Sequence, residues 1–285
     1  MKILAATDFS TRSNRAIRQA GLLAQSGNAQ LHIVHVVDDD QPDELVRMEE
    51  REAERVLNEQ ASSMPELRNV QTRLMVTRGD PFDGILKAAA EVSADLVVMG
   101  SHRKQLLDVI VGTTIERVIR KGPFPVLMVN NEAQRKYQNV LVPVDMVDAS
   151  ADALRVAMAT GLIGDNRATL LHAFVPVGKG KLFIGGADQD SIDSYVASER
   201  DDVMKELAAF LAASVDRLDG RWSVRVEEGG PMEVISRVIS EIRPDLLVMG
   251  TNARSGLLKV LIGSVTEEAL RSLDVDILAM SPAKR

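Results

Sequence analysis

The chain has 285 residues, enough for one large domain or two small ones. Its hydrophobic share of 45% and charged share of 26% are those of a globular protein and exclude disorder as the main theme. A net charge of −7 and only 3% aromatics argue against nucleic-acid binding, and the lack of cysteine excludes a disulfide framework, a thiol nucleophile and a cysteine zinc site.

The amino terminus reaches Asp8 after an apolar run too short for a signal peptide, and no run approaches the length of a membrane span. The expected location is therefore cytoplasmic. Short apolar runs at 2–7, 31–37, 70–76, 95–99 and 125–129 are rich in Val, Ile and Leu, as strands buried on both faces should be. Between the first two, Ala16, Ala20, Leu23 and Ala24 mark one helical face, with Ser10 or Thr11 as its cap. A longer, more charged helical pattern covers 43–64. Pro81 can open a third helix at its first turn, and Thr113 or Thr114 can cap a fourth that runs to Arg120. Strands alternating with helices imply a parallel sheet covered on both faces.

This pattern then repeats. Asp8 and Asp145 end matching apolar runs, and His35 and His172 end another matching pair, both offset by 137 residues. The run Asp95-Leu96-Val97-Val98-Met99-Gly100 returns as Asp245-Leu246-Leu247-Val248-Met249-Gly250, offset by 150, and Gly112 returns as Gly263, offset by 151. The jump in offset from 137 to 150 places a net insertion of 13 residues in the second repeat, at 177–189. That segment is read as a solvent-exposed flexible loop, with a lid or a partner loop as the alternatives, and it leads into a charged helical stretch at 191–215. Two domains follow, at 1–135 and 136–285, each an α/β doubly wound unit with a five-stranded parallel sheet. In such sheets ligands sit beyond the carboxyl ends of the strands.

Asp8 and Asp145 stand at that end of each sheet. They are read either as hydrogen-bond partners of a ligand or as helix caps. In the second repeat, Gly250 follows the fourth strand and Gly263-Ser264 opens a helix whose free N–H groups and positive dipole end attract phosphate. The Ser264 and Thr266 hydroxyls can add bonds. No P-loop, no dinucleotide fingerprint and no nucleophile elbow occurs. His32 and His35 point to opposite faces of a strand and are read as satisfied sheet histidines. The run Asp38-Asp39-Asp40 is read as a solvated turn. No cluster has metal-ligand spacing, so any chemistry is confined to slow hydrolysis at a binding site.

Together these residues resemble the universal stress protein family, in tandem. The resemblance rests on Thr7-Asp8-Phe9-Ser10 and Val144-Asp145, on His35 and His172, on the Asp-Leu-x-Val-Met-Gly strands, and on the family's G-x-x-G, nine residues, G-[ST] signature. It implies Rossmann-like sheets of strand order 3-2-1-4-5 with ATP or AMP, with or without Mg2+, held between strands one and four as a regulatory ligand. In the second repeat it assigns Asp145 and Ala173 to the adenosine, and Met249, Gly250, Asn252, Ala253, Gly263, Ser264, Val265 and Thr266 to ribose and phosphates. Ala253 replaces a motif glycine, while the nine-residue spacing to Gly263 is kept. In the first repeat the matching positions are Asp8, Val36, Met99, Gly100, His102, Arg103, Gly112, Thr113 and Thr114. There Arg103 replaces the second glycine and only eight residues separate it from Gly112. Arg103 either blocks the phosphate site or pairs with phosphate. The resemblance therefore favours the second repeat.

It also implies that the last strands, 125–129 and 276–280, pair within the chain as a pseudo-dimer, with a homodimer of the whole chain as a further expectation. Pro123 and Pro125 would limit donors on one of these edges, and Asp274 and Asp276 would charge the other against stray pairing. Two other functions remain open: a nucleotide-independent interaction scaffold, and a carrier of a small apolar ligand in the second domain.

Overall fold

The computed structural model describes residues 1–101, 113–163, 167–214, 222–251 and 262–280. The first repeat runs β1 (Lys2–Thr7), α1 (Thr11–Gly27), β2 (Gln30–Val37), α2 (Asp43–Ser63), β3 (Thr72–Arg78), α3 (Pro81–Val92), β4 (Leu96–Gly100), α4 (Thr114–Lys121) and β5 (Val126–Val129). The second runs β6 (Asn139–Pro143), α5 (Asp148–Ala159), β7 (Arg167–Phe174), α6 (Lys179–Ile184), α7 (Gln189–Ser214), β8 (Trp222–Glu228), α8 (Pro231–Ile242), β9 (Leu246–Gly250), α9 (Ser264–Ser272) and β10 (Asp276–Met280).

The local causes are those expected of the sequence. Ser10 is extended and its hydroxyl accepts from Ser13 N, which starts α1, and α1 buries Ala16, Ala20, Leu23 and Ala24. Asp80 caps α3, with Pro81 in its first turn, where the missing N–H costs nothing. Thr113 caps α4 in a reciprocal box with Glu116: the Thr113 hydroxyl accepts from Glu116 N, and the Glu116 carboxylate accepts from Thr113 N. The insertion departs from the loop expectation, because Lys179–Ile184 form the short helix α6. Its Leu182, Phe183 and Ile184 follow one another, and Phe183 and Ile184 are exposed.

The strands form one ten-stranded sheet in the order β3-β2-β1-β4-β5-β10-β9-β6-β7-β8. Within each repeat every pairing is parallel and the order is 3-2-1-4-5. Side chains alternate across the sheet, so Ile3 and Ala5 join one apolar layer while Leu4 and Ala6 join the other. Each layer continues through both repeats, taking in Val140 and Val142 on the first face and Leu141 on the second.

The two halves meet where β5 and β10 pair antiparallel. Leu127 faces Leu278, flanked by Met128–Ile277 and Val126–Ala279. Under the 151-residue offset Leu127 maps onto Leu278, so the joint is a local twofold centred on two fully buried leucines. The expectation that Asp276 charges an exposed edge is corrected here: Asp276 is 3% exposed. One of its carboxylate oxygens accepts from Asn130 N (2.8 Å), Asn131 N (3.0 Å) and Asn131 Nδ2 (3.3 Å). The other accepts from the buried Tyr137 hydroxyl at 2.8 Å. The carboxylate thus gathers the donors of the segment that links the repeats.

Burial raises the Asp276 carboxyl above its ordinary 3.8, with these hydrogen bonds working against it. The same burial, with the Asp276 charge beside it, pushes the Tyr137 phenol well above 10.0. A carboxyl whose pKa is raised by folding contributes most stability below its unfolded value, and that contribution is lost as pH rises through the folded value. Asp276→Ala leaves buried donors without an acceptor and should cost about 2–4 kcal/mol, whereas Asp276→Asn should stay within about 1 kcal/mol of wild type. Denaturant unfolding at a series of pH values should show wild type losing stability relative to Asp276→Asn as pH rises from 3.8. Parallel curves for the two proteins would refute this account of the joint.

Candidate functional site

At the carboxyl end of β1 the chain must turn sharply from strand into helix. Phe9 (φ 61°) and Met146 (φ 36°) take left-handed backbone at matching positions, a conformation that costs free energy for a non-glycine residue. The turn is fixed by local bonds. Phe9 N donates to the Thr7 hydroxyl at 3.0 Å, Ser10 N donates to Asp8 Oδ1 at 3.0 Å, and Asp145 N donates to Ser150 Oγ at 3.1 Å. Burial pushes the Asp8 carboxyl up, but hydrogen bonds from Ser10 and Ser13 outweigh it and hold the group below 3.8. Asp8 therefore stabilises the turn, and the cap of α1 is Ser10 rather than Asp8.

The strand-two histidines brace the same turn. His35 Nδ1 lies 2.9 Å from Thr7 O, and His172 Nδ1 lies 2.7 Å from Val144 O. A carbonyl can only accept, so Nδ1 carries the proton in both rings. Phe9 stacks on His35 with ring centroids 4.2 Å apart. These are satisfied structural histidines that also line the clefts. The reading of His32 as satisfied is corrected: on the other face, it is buried with neither ring nitrogen bonded, and burial, Arg73 and Lys2 lower its pKa below 6.5.

A cleft opens at each switch point. The first, about 340 Å³, is walled by Asp8, Val36, Met99, Gly100 and Thr114 among the expected residues, together with Arg12, Pro81 and Ile85. The second, about 720 Å³, brings together Asp145, Ala173, Met249, Gly250, Gly263, Ser264, Val265 and Thr266. Thr113 is spent as the α4 cap. His102, Arg103, Gly112, Asn252 and Ala253 lie outside the described residues. Sequence reasoning missed the helical contribution, in which α8 sends Pro231 and Ile235 into the wall of the second cleft. The signal was present, since the two stand one turn apart on an amphipathic helix.

The glycine ending strand four answers to packing. A Cβ on Gly100 would stand 2.6 Å from the Arg12 carbonyl carbon and oxygen, and one on Gly250 would stand 2.5 Å from Ala149 O. In both repeats the first helix lies against this glycine, which brings strand one's turn and strand four's end together. The two phosphate-type helix starts differ, however. The α4 start is closed by Thr113 and Glu116. The α9 start follows Gly263 with no side-chain cap, and Ser264, the counterpart of Thr113, is its first residue. The Thr266 hydroxyl donates to Gly250 O at 2.8 Å, so it fastens the helix to β9. Among the described residues no group of His, Asp and Glu could hold a metal, and no helix is long and apolar enough to cross a membrane.

An open sheet of order 3-2-1-4-5, with an acid and a braced histidine at its ligand end and a glycine-led helix facing them, defines a doubly wound α/β protein with a cleft at the switch point. The model of the universal stress protein family matches residues 1–130 and again 136–280, and the chain belongs to that family, with two such domains in tandem. It is 24% identical over 222 residues to the universal stress protein E homolog of Haemophilus influenzae, covering 74% of this chain and 70% of that one. It is 23% identical over 218 residues to universal stress protein E of Escherichia coli K12, covering 73% and 67%. A universal stress protein crystal structure from Archaeoglobus fulgidus shares the fold at a TM-score of 0.70 and 18% identity, covering 98% of each chain.

Gly250→Ala should destabilise the protein by about 1–3 kcal/mol, because backbone atoms of α5 cannot yield to the new methyl. Gly230→Ala, where a Cβ meets open space, is the control and should change stability by less than about 1 kcal/mol. Equal denaturation midpoints for the two variants would remove the packing role assigned to Gly250.

Proposed function

We propose that this chain is a stress-response protein that binds an adenine nucleotide, ATP or AMP, as a regulatory ligand in the cleft of its second domain. The observation that carries the reading is the uncapped start of α9, whose first residues Ser264, Val265 and Thr266 wall the larger cleft. Free N–H groups and the positive end of the helix dipole at that point favour phosphate, with or without Mg2+. In this reading Asp145 and Ala173 hold the adenosine. Met249, Gly250, Asn252, Ala253 and Gly263 carry the backbone around ribose and phosphates.

The first domain offers the corresponding set, Asp8, Val36, Met99, Gly100, His102, Arg103, Gly112, Thr113 and Thr114. Its cleft has less than half the volume, and the capping box of Thr113 and Glu116 already occupies two of the donors at the start of α4, Thr113 N and Glu116 N. It is the weaker site for a polyphosphate. The reading includes no catalytic step. The antiparallel β5–β10 joint supports reading the chain as an internal pseudo-dimer.

The second cleft favours one other reading. Val144, Val147, Leu171, Ile235 and Ile262 give it an apolar wall suited to a small apolar ligand.

Calorimetric titration with ATP, with and without Mg2+, tests the proposal. Wild type should bind. Ser264→Asp puts a carboxylate where phosphate is expected and should weaken binding about tenfold. Ser264 is exposed and an acid in the first turn favours the helix, so the melting temperature should not fall. Wild type that binds nothing at millimolar nucleotide overturns the proposal. An apolar molecule retained in native mass spectra would point to the second reading.

A further inference from the structure

The two domains are related by a twofold centred on Leu127 and Leu278, and the 151-residue offset pairs Glu116 with Glu267 and Arg120 with Arg271. The ion pairs do not obey that symmetry. Arg271, on α9, donates from Nε to Glu116 Oε1 of the first domain at 2.8 Å and reaches the other Glu116 oxygen at 3.5 Å. It also holds Glu267, one turn earlier on its own helix, at 2.8 Å. Its counterpart Arg120 makes neither bond: its Nε is buried and has no hydrogen-bond partner. One guanidinium therefore holds both glutamates and the other holds neither.

The cause lies in the helix starts. Glu116 is locked at the head of α4 by the capping box and is 1% exposed, and Arg271 comes to it there. The head of α9 has no such box, which leaves Glu267 outside a cap. Glu267 sits at the wall of the second cleft, and its twofold-related partner across the interface is Arg120.

We propose that Glu267 is a two-position switch between Arg271 on its own helix and Arg120 across the domain interface, and that a phosphate-bearing ligand at the head of α9 drives it to Arg120. The trigger rests on the nucleotide reading of the second cleft. Phosphate beside Ser264 and Val265 would repel the Glu267 carboxylate, and the unpartnered Arg120 offers it a position where that repulsion is relieved. In the second position the two cross-interface pairs become twofold-symmetric: Arg271 with Glu116, and Arg120 with Glu267. Glu116 immediately follows Thr114 and Ile115 in the wall of the first cleft, so the bridge runs from one cleft to the other. Ligand binding and interface closure then strengthen each other by the same factor.

Two measurements test the switch and separate it from the nucleotide reading. The first needs no ligand. In an Arg271→Ala background Glu267 loses its helical partner, and Arg120→Ala and Glu267→Gln should couple by about two- to fivefold in the unfolding equilibrium constant. Additive effects would show that Glu267 does not reach Arg120 and would overturn the switch, whatever the protein binds.

The second is calorimetric titration with ATP. Arg120→Ala should weaken ATP binding by about two- to fivefold in the otherwise native chain, with no loss in the Glu267→Gln background, where no charge is repelled. Equal ATP affinity for wild type and Arg120→Ala overturns the trigger while leaving the nucleotide reading intact. Wild type that binds no ATP overturns the reading and the trigger together, and the ligand-free cycle alone then decides the exchange.

Discussion

Everything in this molecule hangs on two short strand edges that close on each other. Each repeat alone would leave its fifth strand open, with unpaired N–H and C=O groups available to any other strand. Pairing β5 with β10 removes both edges and makes two five-stranded sheets into one, with an unbroken apolar layer on each face. The joint is short, and Asp276 reinforces it by collecting the donors of the linking segment and of Tyr137. A buried carboxylate is a costly means of doing this, and it is tolerated because its oxygens are well supplied with donors.

The two clefts began from one plan and now differ at one structural detail. In the first domain a threonine and a glutamate satisfy the head of the last helix from within. In the second, glycine stands at the cap position and the helix head faces the larger cleft without a cap. The chain's net charge of −7 divides as −1 over residues 1–136 and −6 over 137–285. The proposed phosphate site thus lies in the more acidic half. Oriented amides act over one helical turn, and screening by salt confines the more distant carboxylates, so local geometry prevails over total charge.

Much of this was legible in the residues. Short Val- and Ile-rich runs placed the strands to within a few positions, because strands buried on both faces leave a continuous apolar signature. Ser10, Pro81 and Thr113 marked helix starts by chemistry that acts over three or four residues. Less legible was whatever depends on distant partners. Asp276 reads as an edge charge until Tyr137 and Asn131 are seen around it. The sequence places Gly250 at the end of its strand but does not show that Ala149 lies against it. The helix at Lys179–Ile184 carries three glycines within or beside it, composition that speaks for a loop.

Joining both domains in one polypeptide also changes how their contact responds to abundance. Separate subunits pair and part by mass action, so the paired fraction falls on dilution. Here the two domains that carry these edges are joined by nine residues, 130–138, and a short tether sets an effective concentration on the order of millimolar. The pairing at Leu127 and Leu278 is therefore the same in a cell holding few copies as in one holding many. Each molecule carries one cleft of each kind, in a ratio that no change in expression can alter.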